Sequence, residues 1–170
     1  DQEPAGEPAL EEKPREESEA ELEVLPVPEE DLAKEITLAV AVTSDIRGRL
    51  LPYDFIEGEE TDASLAQIYS YLNRSSYPNE RLILLDTGNM LQGQPLVYYY
   101  SNIKTDSEHI AAGAMNAMGY AAAVAGVRDL VTGPGVYEKV RRESGFPWLA
   151  ANAVDSQTGE PYFDPYIIVE

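Results

Sequence analysis

From residue 36 onward the chain alternates two hydrophobic rhythms. The apolar run "ITLAVAV", Ile36–Val42, reads as a buried strand, and "DASLAQIYSYLNR", Asp62–Arg74, sets Leu65, Ile68, Tyr69 and Leu72 at helical spacing. "RLILLDTG", Arg81–Gly88, is a second buried strand, and "SEHIAAGAMNAMG", Ser107–Gly119, is a helix with Ser107 as N-cap and Gly119 as its stop. A short strand in "YAAAVAG", a helix after "GPG" that runs to about Arg142, and a strand in "PWLAANAV" follow. The order βαβαβαβ predicts an α/β domain, a mostly parallel sheet with helices packed on it. Ligands in such sheets sit at the carboxyl ends of the strands. There "TSDIRG", "DTGNMLQG" and "AGVRDL" supply Asp45, Arg47, Asp86, Asn89, Gln92, Arg128 and Asp129 as candidates for one site.

Charge changes the picture at the amino end. The 170 residues suffice for one domain with a real core, but the formal charge of -19 is unevenly spread. Asp1 to Glu35 hold 14 acidic and 3 basic residues, a net of -11, which leaves -8 to the other 135. Residues 1–34, rich in Glu, Pro and Ala, offer too little apolar surface to offset their ordering entropy. They read as a disordered acidic tail, a solvated linker rather than a lure for a basic partner, ahead of a domain over residues 35–170. The charge argues against nucleic acid or an anionic membrane as partner. The absence of cysteine excludes disulfides and thiolate metal sites. No apolar span reaches membrane length, so direct membrane insertion is not expected, and a chain opening on Asp rather than Met fits an exported protein (periplasmic, cell-surface or secreted) that has lost a leader.

Several candidates have plain structural readings. His109 stands near a helix start and is read as structural or superficial. Tyr98–Tyr100 could stack a base, but packing is the favoured reading. Asp45 with Arg47 or Arg128 makes an ion pair in the plain reading; in the sharper one, the two guanidiniums grip a phosphate bidentately without metal.

The segments "SDIRGRLLPYDF", "LLDTGNMLQGQPLVYYYS", "HIAAGAMNAMGYAAAVAGVRD" and "FPWLAANAVDSQTGEPYFDPYII" resemble, in order and spacing, the 5′-nucleotidase / 2′,3′-cyclic-nucleotide phosphodiesterase branch of the calcineurin-like metallophosphoesterases. The resemblance implies the N-terminal half of an α/β/β/α sandwich and a two-metal hydrolase site. Residue by residue, that site is degenerate. Asp45 matches the first metal ligand. Arg47 stands where the family has a ligating His, and a guanidinium has no lone pair to give. Asn89 replaces the metal-bridging Asp, Val127 a ligating Asn, and Arg128 the His that stabilises the phosphoryl transition state; Gly48, Gly88, Gln92, Gly93 and Gly126 are kept. The family's remaining ligands would lie beyond Glu170.

The reading that results is a degenerate metallophosphoesterase-like domain without hydrolase activity, acting as a binding or structural module and needing no cofactor. The alternative is a phosphoric ester hydrolase acting on nucleotides, with a divalent metal pair (Mn, Zn, Fe or Mg) in an altered site or one completed by another chain. Expected partners are a weakly bound phosphate or nucleotide, held no tighter than about millimolar, and a second copy or complementing chain covering the open sheet. The weak affinity presumes that Asp45 and one of Asp86 or Asp129 neutralise both arginines, so that Asp45→Ala is markedly destabilising.

Overall fold

The computed structural model describes residues 37–75 and 82–169. The tail assigned to residues 1–34 lies outside these, as do Ile36 and Arg81 at the starts of the first two expected strands. In chain order the elements are β1 (Ala39–Thr43), β2 (Tyr53–Asp54), β3 (Glu59–Glu60), α1 (Leu65–Arg74), β4 (Leu82–Asp86), α2 (Pro95–Asn102), α3 (Ile110–Met118), β5 (Ala122–Val124), α4 (Val127–Leu130), α5 (Pro134–Glu143) and β6 (Trp148–Leu149). Strands β1, β4, β5 and β6 form one sheet in that order, parallel throughout, as the alternation of strands and helices requires. Strands β2 and β3 pair as a small antiparallel hairpin on the crossover from β1.

The two sheet faces differ. On one, Leu84, Ala123 and Trp148 are buried in a core cluster with Leu65 of α1, Val97 of α2, Met115 of α3 and Val140 of α5. On the other, the rows Val40–Ile83, Val42–Leu85 and Val124–Leu149 follow from the register, and Val40, Val42 and Val124 are 55%, 57% and 39% exposed. The buried strand expected at residues 36–42 is therefore covered on one side only. Side chains alternate across a strand, and the helices of the core lie on a single side of the sheet.

Helix starts also differ from expectation in detail. The helix expected from Asp62 begins at Leu65, because Ser64 builds a capping box: its Oγ accepts from Gln67 N at 3.3 Å and Gln67 Oε1 accepts from Ser64 N at 3.0 Å. The cap of α3 is His109, not Ser107; His109 Nδ1 accepts from Ala111 N at 3.2 Å, while the Ser107 hydroxyl donates to the Lys104 carbonyl. Gly119 ends α3 in the left-handed conformation, φ 74°, as its position predicts. Among the described residues no helix is long and apolar enough to cross a membrane.

Candidate functional site

Loops from the carboxyl ends of β1, β4 and β5 meet over one buried carboxylate. Asp129 accepts from Asn89 N at 2.7 Å, from Met90 N and Leu91 N at 2.8 Å each, and from Gly126 N at 2.9 Å. Burial pushes this carboxyl up and the four N–H donors pull it back. The β1 loop joins through Asp45 N, which donates to the Gly88 carbonyl at 3.0 Å, and Arg47 N, which donates to the Asn89 carbonyl at 2.9 Å. Two glycines permit this approach. A Cβ on Gly126 would lie 2.5 Å from Asn89 Oδ1, and one on Gly93 would lie 2.5 Å from the Arg47 carbonyl oxygen.

Over that lattice sit Asp45, Arg47 and Asn89, at φ 57°, 54° and 66°, the non-glycine residues of positive φ among those described. Asp and Asn tolerate this region; for Arg47 it costs roughly 1–2 kcal/mol, which the surrounding hydrogen bonds sustain. Arg47 Nη2 lies 2.6 Å from Asp45 Oδ2, both side chains being about two-fifths exposed. That contact holds the Asp45 carboxyl below its ordinary range against partial burial. Asn89 Oδ1 accepts from Arg128 N at 3.0 Å, so the amide oxygen at the expected metal-bridging position already serves the backbone. Val127 is 70% exposed.

The structure thus brings Asp45, Arg47, Asn89 and Arg128 together, with Asp129 as the fastener beneath them. Asp86 is elsewhere: 2% exposed, it accepts from Thr43 Oγ1 at 2.6 Å and Gly88 N at 2.7 Å, and Thr43 Oγ1 also meets the Tyr120 hydroxyl at 2.8 Å. Burial pushes Asp86 up to about 6 and Tyr120 up to about 12. Neither Asp86 nor Asp129 pairs with an arginine, so the carboxylates beside the arginines are Asp45, Asp54 and Glu57 instead. His109 is fully buried, with Nε2 3.0 Å from Ser101 Oγ, and burial with the nearby Lys139 charge pushes it down to about 4. It is a structural histidine. Tyr98 and Tyr99 are 62% and 42% exposed, and Tyr100 packs edge-on to His109.

Sequence reasoning missed Arg49, Asp54 and Gln94, which with Arg47, Arg128, Ile56, Glu57 and Gly93 line a cleft of about 180 Å³. Gln94 ties the hairpin to the site, accepting from Phe55 N at 3.1 Å and donating to Asp54 Oδ1 at 2.9 Å. The available signal was "RGR": Arg49 follows Arg47 by two residues across a tight glycine turn. By themselves the residues at these positions do not supply the ligands of a dication pair: Arg47 offers only N–H groups and Val127 offers nothing, while Asn89 Oδ1 accepts from Arg128 N and the Asp129 oxygens accept four backbone N–H groups.

No protein-family model matches the chain. It is 28% identical over 141 residues to a 2′,3′-cyclic-nucleotide 2′-phosphodiesterase/3′-nucleotidase of Yersinia enterocolitica, covering 81% of this chain and 22% of that protein. Over 158 residues it is 29% identical to the trifunctional nucleotide phosphoesterase protein YfkN of Bacillus subtilis, covering 86% of this chain and 11% of that one. Among solved structures, the calcineurin-like phosphoesterase YfkN from Bacillus subtilis superposes with a TM-score of 0.71 at 27% identity, over 78% of this chain and 42% of that one. The NAD nucleotidase of Haemophilus influenzae shares the fold, with a TM-score of 0.56 at 19% identity over 78% of this chain and 24% of that one. The chain is related in sequence and in fold to the calcineurin-like phosphoesterases of the 5′-nucleotidase and 2′,3′-cyclic-nucleotide phosphodiesterase kind. It spans 22% or less of the length of these curated relatives.

Proposed function

We propose that this domain is a phosphoesterase scaffold without hydrolase activity, acting as a binding or structural module. The observation that carries the reading is the 2.6 Å contact between Arg47 and Asp45, a permanent cation held where the resemblance places two metal ligands. Two-metal hydrolysis needs a pair of dications about 3.5 to 4 Å apart to activate water and hold the phosphoryl oxygens; a guanidinium supplies charge to an anion but cannot lower the pKa of a bound water. Metal analysis of the purified protein and turnover of bis(p-nitrophenyl) phosphate with added Mn²⁺ test it. No stoichiometric metal and no turnover above background are expected, and a micromolar two-metal site by calorimetry would overturn the reading.

The retained glycine lattice favours a second reading, a nucleotide phosphoesterase whose site is completed by residues outside this chain. On either reading the quadruple variant Arg47→His, Asn89→Asp, Val127→Asn, Arg128→His is expected to remain inactive alone; recovered turnover would establish that the missing ligands are already present. Export and self-association through the open sheet face accompany the first reading. Fractionation of the producing cells checks the former.

A further inference from the structure

Three of the chain's guanidiniums, Arg47, Arg49 and Arg128, line the 180 Å³ cleft at the strand ends of a chain whose formal charge is -19. Like charges gathered in so small a volume raise one another's free energy unless an anion shares the space. Asp45, Asp54 and Glu57 balance the three charges in number, but they leave guanidinium N–H groups of Arg49 and Arg128 without a carboxylate contact. Asp45 pairs with Arg47. Asp54 Oδ1 accepts from Ile56 N at 2.9 Å, Glu57 N at 3.2 Å and Gln94 Nε2 at 2.9 Å; the carboxylate keeps its charge and attracts Arg49 through space, without a direct contact. Asp86 and Asp129 are buried with other donors. Among the described residues no carboxylate oxygen lies within 4 Å of Arg49 or Arg128. Within the cluster Arg47 Nε is shut off from solvent and has no acceptor, although an unsatisfied buried donor costs about 1–3 kcal/mol.

We infer that Arg47, Arg49 and Arg128 form a metal-free site for the phosphate group of a phosphate monoester, at the place where the sequence resemblance implies a metal pair. A guanidinium presents paired N–H donors that match two phosphate oxygens at once, and this site uses that geometry in place of dications. The ester's organic part has a place beside it. A second cavity of about 500 Å³ shares Ile56, Gly93 and Gln94 with the cleft and adds the exposed ring of Tyr98 with Gln92 and Asn102, and its lining carries no charged side chain. Glu57, on the cleft rim, opposes a dianion and so sets the affinity from the other side. The inference rests on the proposed loss of the metal pair, since dications and three guanidiniums in one cleft would repel each other.

Calorimetric titration of the chain with phenyl phosphate and with inorganic phosphate, in the presence of a chelator, tests it. Saturable submillimolar binding of phenyl phosphate is expected, at least fivefold tighter than inorganic phosphate. Arg49→Ala and Arg128→Ala should each weaken it at least tenfold with unchanged circular dichroism, and Glu57→Gln should tighten it severalfold. Absence of saturation by 10 mM, or binding indifferent to both arginine variants, overturns the site. Equal affinities for the two ligands overturn the role of the adjoining cavity. Binding that appears only when metal is added overturns the inference together with the metal-free reading on which it rests, whereas no phosphate binding and no metal binding overturns the inference alone.

Discussion

Asp129 holds the site together more firmly than any residue that can touch a ligand. Its two oxygens accept four backbone N–H groups from the loops after β4 and β5, a stretch of chain that has no ladder of its own to satisfy them. In Asp129→Asn the amide keeps one acceptor oxygen and presents an NH₂ to donors, so at least two buried N–H groups lose their partner. A loss of about 2–4 kcal/mol in urea unfolding is expected. Asp45→Ala is expected to change stability far less. Its ion pair with Arg47 is two-fifths exposed and solvent-screened, so the marked destabilisation that the sequence suggested for Asp45 is expected at Asp129 instead. The residue types at both positions were legible. What was not legible is that one carboxylate faces solvent and a cation while the other serves the backbone, because backbone donors leave no trace in the pattern of side chains.

At the scale of elements, the end of β4 and the start of α3 carry opposite pH dependences. Asp86 is pushed up to about 6, from 3.8. Its neutral form is favoured in the fold, so its contribution to stability is full below the unfolded value and is lost as pH rises through about 6. His109 is pushed down to about 4, from 6.5. Its neutral form is favoured too, but its contribution is full above 6.5 and is lost as pH falls through about 4. Between those limits the two slopes oppose each other. Urea midpoints at pH 7 and 4.5 should separate them: Asp86→Asn leaves the histidine term, so acidification destabilises by roughly 2 kcal/mol relative to wild type, and His109→Asn reverses the sign. The long elements were readable because apolar spacing records which face is buried. The start of α3 was misplaced because a histidine serves as cap in place of the more usual Ser107. The β2–β3 hairpin was missed because two-residue strands of Tyr53–Asp54 and Glu59–Glu60 carry no alternation to detect, and with it went Asp54 and the fastening role of Gln94.

For the domain over residues 37–169 the unresolved balance is its second sheet face. Val40 and Val42 on β1 and Val124 on β5 stand exposed on one side, and the register sets them in rows with Ile83, Leu85 and Leu149. An apolar side chain of this size gains about 1.5–3 kcal/mol on full burial, so the contiguous patch favours contact with another apolar surface, and a second copy is always present at high concentration. Two routes are open, because β1 pairs only with β4 among the described residues and leaves a free edge besides the face. Sedimentation velocity over a hundredfold concentration range is expected to show reversible self-association with binding of a hydrophobic dye. Val42→Lys places a charge in the middle of the face while its backbone can still pair along the edge, so packing through the face predicts a monomer with weak dye binding. Association that survives Val42→Lys would assign the contact to the free edge of β1, and a wild-type chain that stays monomeric without dye binding would show that this apolar face is stable in water as it stands.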